Sequence, residues 1–434
     1  MKRQMFIYLF NPENDLALAN FSANYMPPAS AVRMAREMAL LPIWYAGSDN
    51  RFTGNAGDDI ENLQGIVGES LYMDGGSPGV TVNSRENEEG VMVLAEGKEN
   101  LAFLERMKEF FDLRVSLVPM SSLASYPDAV FVPWGWNPTL VRTLQASGAS
   151  ECHLPSMEEL EQLREYTHRK HAVEILVALR SLDERLTGEP RYVTSVEELL
   201  AYLESVPGDK VLKMPLSGSG KGLVWILGGI TDKQVDWCRR VIRGQGGVVV
   251  EPIWDRVRDF AMEFWLDNGT ARFAGYSLFR TTASGAYMGN ELLTDARIEE
   301  VLGSYLPISL FHQLRERLLQ LLPIRFPRYR GYVGVDMMVC ASPEGYMLHP
   351  CVEINMRMNM GVVSHTFHER HVQSGAEGMF MVDYFKRPGA ALSFHRKMER
   401  EHPLTVKANK IISGYLPLTP VTADTCYMTY AVIG

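Results

Sequence analysis

Residues 213–227 read KMPLSGSGKGLVWIL, and the fold turns on what this glycine-rich segment is. Gly220-Lys221 is the pair that closes a Walker phosphate loop. That loop needs GxxxxGK followed by Ser or Thr, set between a strand and a helix whose N-terminus supports the phosphates. Here Pro215 stands at the first glycine position and Gly222 follows the lysine, so both tests fail. The residues after the loop, GLVWIL, are β-branched, aromatic and few, so the loop joins two strands. A glycine hairpin can still fold over phosphates as a lid, offering backbone N–H groups from Ser217 to Gly222. A surface hairpin without a ligand fits this segment equally well.

A second stretch, CVEINMRMN at 351–359, breaks the tie. Glu353, Asn355, Arg357 and Asn359 alternate with Val352, Ile354, Met356 and Met358, giving a strand with one polar and one apolar face. Glu, Asn and Arg form strands poorly, so this polar face asks for a reason beyond solvent exposure. The preceding run GYVGVDMMV is linked to it by SPEG, which predicts a hairpin turning at Pro343 and Glu344. In that register Asp336 pairs with Cys351 and is the diagonal neighbour of Glu353, roughly 7 Å away. Converging carboxylates repel unless a cation lies between them. Magnesium suits hard oxygen ligands that leave room for water and phosphate.

The rest of the chain bounds these readings. Its 434 residues are 46% apolar and 22% charged with a net charge of −9, which describes a globular chain of several packed units with no positive field for nucleic acid. The most basic run, RFPRYRGY, reads as a solvated connection. Five scattered cysteines without a CxxC pattern suit a reducing, cytoplasmic setting. The N-terminal apolar run is cut short by Asn11-Pro12-Glu13 and reads as a first strand rather than a secretory leader. No segment approaches the roughly 20 apolar residues of a membrane span. Self-association is compatible with all of this.

Residues 1–150 carry βαβ rhythm: a strand over 3–10, a helix in NPENDLALANF, a Pro-started helix and second strand in PPASAVRMAREMALLPIWYAG, a surface loop in DGGSPGVTVNSRENEEG, and a strand ending at WGWNP. Ser156 and Glu159 form a capping box that opens a second unit. A helix is expected over about 304–322, and a helix with a few strands in the last 40 residues.

The glycine hairpin, the preceding strand lysine, and a later Asp followed by Glu-x-Asn together resemble the ATP-grasp superfamily, over roughly residues 155–390. The resemblance implies an α/β and α+β chain. Residues 1–150 would be an open α/β domain like the one that precedes the ATP-grasp fold in many members. The ATP-grasp fold would cover 151–390 as two α+β subdomains, a lid part near 187–250 and a magnesium-binding part near 251–390, with a C-terminal extension at 391–434. Activity would be that of a carboxylate–amine ligase using ATP and Mg2+, or of an ATP-grasp kinase. A nucleotide-binding protein without turnover is the rival from another class.

Residue by residue, Lys213 matches the phosphate-reaching lysine, and Lys170 an earlier one, with Arg169 a competing choice. Ser217, Gly218, Ser219, Gly220 and Lys221 form the lid. Glu251 and the Ile253 backbone would face the adenine, and Asp259 or Glu263 the ribose. Asp336, Glu353 and Asn355 match the metal ligands, and Arg357 the arginine facing the reacting phosphoryl group, although Met356 and Met358 replace the usual Pro or Ala around it. Arg280 and Asn290 are further phosphate or substrate candidates. Asn11, Glu13, Asn14 and Asp15 follow the first strand, where open α/β sheets place ligands, but also make an ordinary turn and helix cap. Trp134 and Trp136 are either aromatic walls or core. His365, His368 and His371 recur every three residues, as a loose metal trio or as substrate contacts.

Overall fold

The computed structural model describes residues 4–47, 90–218, 222–282 and 285–434. The loop expected at 74–90 lies outside these except for Gly90, as do Ser219, Gly220 and Lys221. The first sheet is parallel throughout, with strands β1 (Met5–Leu9), β2 (Gly90–Leu94), β3 (Val115–Val118) and β4 (Val130–Pro133) in the order β3-β2-β1-β4. The second strand expected at LPIW is instead a 3-10 helix, Leu41–Trp44. Pro42 presets its helical φ, and both flanks of β1 are taken by β2 and β4.

A second, antiparallel sheet runs β5-β8-β6-β7, from β5 (Arg191–Val193), β6 (Lys210–Lys213), β7 (Leu223–Ile226) and β8 (Val248–Pro252). Its helix Asp232–Gln245 begins at a Thr231/Gln234 capping box and stops at Gly246, whose φ of 84° suits a left-handed cap. The glycine segment thus joins two paired strands, with Lys213 opposite Leu223.

The third sheet has nine antiparallel strands: β9 (Arg256–Asp267), β10 (Thr270–Thr281), β11 (Tyr287–Leu292), β12 (Arg330–Ser342), β13 (Gly345–Asn355), β14 (Gly378–Tyr384), β15 (Thr405–Lys407), β16 (Lys410–Pro417) and β17 (Tyr427–Ile433). Their order is β13-β12-β9-β10-β11-β14-β17-β16-β15. β9 turns into β10 at Asn268-Gly269, both with positive φ, which matches the twist of a tight hairpin. The helix near 304–322 is Ile308–Arg325, started by Pro307.

The stretch 391–434, expected as an extension, supplies β16 and β17 to the interior of this sheet and shares a core with the N-terminal unit. Trp44 packs edge-on against Phe111, Phe367 and His371, and its indole N–H donates to the Leu418 carbonyl at 2.7 Å. Glu37 accepts from the amides of Cys426 and Tyr427. Among the described residues no helix is long and apolar enough to cross a membrane.

Two core histidines make stability depend on pH. Burial, then Arg370 and Lys410, holds His371 down at about 3, and burial, then Arg325, holds His171 at about 4. Both depressions disfavour protons in the folded state, so the stability they give is complete above about pH 6.5 and is lost as pH falls toward the folded values. By pH 5 each removes about 2 kcal/mol. Unfolding measured at pH 7 and pH 5 should show this loss. H371F, which removes the hydrogen bond of the His371 ring to the Trp44 backbone, should be less stable at pH 7 yet lose about 2 kcal/mol less than wild type between the two.

Candidate functional site

Two cavities meet in the cleft between the sheets. The first, about 420 Å3, lies between the β6-β7-β8 edge and the β9-β12-β13 face; its apolar walls include Val211, Leu223, Trp225, Ile253, Trp254 and Met338. The second, about 340 Å3, lies between β9–β11, the end of β13 and the N-terminal unit, with Phe10, Pro12, Asp15 and Trp134 on its wall. Asp336 and Glu353 line both, together with Phe279, Thr281 and Gly285, so the carboxylate pair lies at the junction.

That pair is closer in register than the sequence predicts. The turn does fall at Pro343 and Glu344, with Ser342 opposite Gly345, and Met338 lies opposite His349; but Asp336 is then opposite Glu353, not Cys351. Two extra residues of β13 are taken up at Pro350–Val352, where Pro350 has no N–H for the ladder. Cys351 is packed into the core. Burial, then the negative charges of Glu353 and Glu263, pushes the Asp336 carboxyl well above the usual range. Asn355 Nδ2 donates to Asp336 at 3.1 Å, and Arg169 Nη2 donates to Glu353 at 2.8 Å. Among the described residues no three His, Cys, Asp or Glu side chains cluster as a metal site. The oxygen-rich set Asp336, Glu353 and Asn355, two carboxylates and an amide, nonetheless fits a hard cation, and among the described residues Asp336 makes no ion pair, Arg357 acting on it only through space.

Lys213 reaches the first cavity from β6 and pairs with Glu251, which has His349 Nε2 3.4 Å away. Burial alone would raise the Glu251 carboxyl, but Lys213 and His349 outweigh it and hold it at about 2. Of the two early basic candidates, Lys170 turns outward onto Glu165 and lines neither cavity. Arg169 lines the first, its backbone N–H on Pro215 O and its Nε on Met214 O, so it ties the lid strand to the carboxylate pair. The Ile253 amide, expected to face a base, donates to the Asp209 carbonyl. Ser217 and Gly218 line the first cavity, and a Cβ on Gly218 would come within 2.6 Å of Asp15.

The two ribose candidates are separated by the fold. Asp259 faces the first cavity and accepts from the Thr281 hydroxyl at 2.8 Å, whereas Glu263, four residues further along the same face of β9, faces the second. Arg357 leaves the end of β13 and lines the second cavity, with Nε and Nη2 each 2.7 Å from Asp15. Burial disfavours its charge, but Asp15 more than offsets this and raises its pKa. Asn290 lines the same cavity; Arg280 points away and pairs with Glu291. Asn11 and Glu13 line neither cavity: Asn11 exchanges bonds with Gly135, and Glu13 stands at the N-cap position of the helix Asn14–Asn20 without a side-chain cap bond. Trp134 is a cavity wall, and Trp136, half-buried, packs against the core of the parallel sheet. The three histidines do not converge: His365 meets Asp295, His368 meets the Ala376 carbonyl, and His371 packs against Trp44. Sequence reading did not single out Trp254, Trp225, Thr281 or Tyr287, which carry no motif.

A lid sheet with a glycine hairpin, facing a longer antiparallel sheet that carries the carboxylate pair, is the arrangement that the ATP-grasp resemblance implies. No protein-family model and no curated protein sequence matches the chain. Among solved structures it is similar to N5-carboxyaminoimidazole synthetase from Staphylococcus aureus, at 10% identity and TM-score 0.48, covering 100% of this chain and 94% of that one. A biotin carboxylase ATP complex from Campylobacter jejuni has 10% identity and TM-score 0.48 over 99% of this chain and 87% of that one. The biotin carboxylase domain of Hydrogenobacter thermophilus 2-oxoglutarate carboxylase, in complex with MgADP, ADP and bicarbonate, has 11% identity and TM-score 0.44 over 79% and 86%.

The buried Lys213–Glu251 pair gives a direct test of the local electrostatics. K213M should cost about 3 kcal/mol or more in urea unfolding, because it leaves Glu251 buried without its main counter-charge. The double variant K213M/E251L should recover most of that loss.

Proposed function

We propose that the protein is an ATP- and magnesium-dependent ligase that activates a substrate carboxylate as an acyl phosphate for attack by an amine. The observation that carries this reading is the meeting of two cavities at Asp336 and Glu353, one suited to a nucleotide and one to a second substrate. In the first, Trp254, Ile253, Trp225 and Met338 offer an apolar slot for a base, Asp259 an acceptor for ribose hydroxyls, and Lys213 with the lid backbone a positive lining for phosphates.

Asp336, Glu353 and Asn355 would hold magnesium. When bound, it supplies charge neutralisation for the two carboxylates and the phosphates between the cavities. The chain's own part is positioning. Arg169 orients Glu353, and Arg357, fixed by Asp15 in a two-bond fork, presents a guanidinium toward the reacting group from the second cavity. No side-chain nucleophile is required. The partners are small-molecule carboxylates and amines, and five free cysteines suit the cytoplasm.

Thermal unfolding tests the nucleotide site. A non-hydrolysable ATP analogue with magnesium should raise the midpoint by roughly 5 °C at saturation, and EDTA should remove the gain. D336N should lower ADP release at least ~100-fold. Absence of any stabilisation by analogue plus magnesium overturns the reading. ADP release should require an amine co-substrate; a stable phosphorylated product would show a kinase instead.

A further inference from the structure

The second cavity is unbalanced in charge. Four carboxylates line it, Asp15, Glu263, Asp336 and Glu353, against one guanidinium, Arg357, which is committed to Asp15. Glu353 has Arg169, and Asp336 belongs to the cation site. Glu263 remains. It is only 2% exposed, accepts from Asn359 Nδ2 at 2.8 Å and from the Ser277 hydroxyl, and makes no ion pair among the described residues. His365, held by Asp295, and Arg357 act on it only through space.

The fold makes room for this carboxylate. A Cβ on Gly334 or Gly361 would come within 2.7 or 2.2 Å of its oxygens. On the same cavity wall Asn290 is fully buried; its Oδ1 accepts from the Tyr287 hydroxyl, while its Nδ2 has no partner among the described residues. A buried anion without a cation and a buried N–H without an acceptor are each costly, and both costs vanish if a ligand supplies the missing partners. Phe10, Met34, Trp134 and Met360 give the cavity an apolar side.

We propose that Glu263 and Asn290 form the seat of the attacking amine, a primary ammonium against Glu263, an oxygen acceptor of the same molecule against Asn290 Nδ2, and an apolar group along Phe10 and Trp134. The assignment rests on the ligase reading for what the amine attacks. The seated ammonium gives one proton to the Glu263 carboxylate, and its freed lone pair attacks the carbonyl carbon of the acyl phosphate. The C–N bond forms as the C–O bond to phosphate breaks, and the second amine proton leaves with the phosphate. Burial, only partly offset by Asn359 and Ser277, holds Glu263 at about 7, where it can both take up and release that proton.

The test is calorimetric titration of the full chain, with and without magnesium and a non-hydrolysable ATP analogue, using phenethylamine, L-phenylalaninamide and 3-phenylpropionate. Both amines should bind, the amide-bearing one more tightly, and the carboxylate should not. E263Q, checked for unchanged circular dichroism, should weaken both amines by roughly 10-fold or more. N290A should abolish the advantage of L-phenylalaninamide while leaving phenethylamine within about twofold. Binding of 3-phenylpropionate in place of the amines, or amine binding indifferent to E263Q, overturns the assignment. Amine binding without nucleotide binding would instead overturn the ligase reading and leave the seat standing.

Discussion

Two carboxylates set level on neighbouring strands are the constraint around which this molecule is arranged. Asp336 and Glu353 face each other across β12 and β13, where like charges oppose pairing. The surroundings answer one of the two charges and leave the other. Arg169 comes from the start of the helix Lys170–Arg180, packed against the same core as β12 and β13, to meet Glu353, and among the described residues only the neutral amide of Asn355 bonds Asp336. The same Arg169 is anchored to the backbone before the glycine hairpin, so the position of the lid strand and the charge state of the pair are linked.

Two substrate spaces follow from that arrangement. The strand carrying Asp336 also separates Asp259 from Glu263, because β9 runs antiparallel beside it and presents residues four apart to different cavities. The N-terminal unit is drawn in by the Asp15–Arg357 fork, which closes the second cavity with a wall from a different sheet. Glycines stand where carboxylates need the space: Gly334 and Gly361 beside Glu263, and Gly218 beside Asp15.

Much of this was legible in local sequence, because local rules decide it. The failed Walker pattern and the β-branched segment behind it define a hairpin, and the alternation around Glu353 defines a polar strand face. The Ser156 and Glu159 spacing marks a helix start that the structure has with both cap bonds. The misreadings arise where partners far apart decide. Whether LPIW becomes a strand depends on who flanks β1, and those strands lie far along the chain. Arg169 and Lys170 are equivalent in sequence until a helix turn aims one inward. The fork from Asp15 to Arg357 spans 342 positions and leaves no trace in either neighbourhood. The bulge in β13 did carry a signal, Pro350 in the middle of a strand pattern, which a ladder cannot accommodate without a shift.

The core shared by Trp44 and the last strands has a consequence for how the chain is made. The indole N–H of Trp44 finds its acceptor 374 residues later, at Leu418, and Glu37 finds its donors later still. During synthesis at ~5–20 residues per second, roughly 20–75 s pass between the emergence of that tryptophan and of its partner. Through that interval the N-terminal side of that core has an uncovered apolar flank. The shared core is therefore closed only as β16 and β17 clear the ribosome.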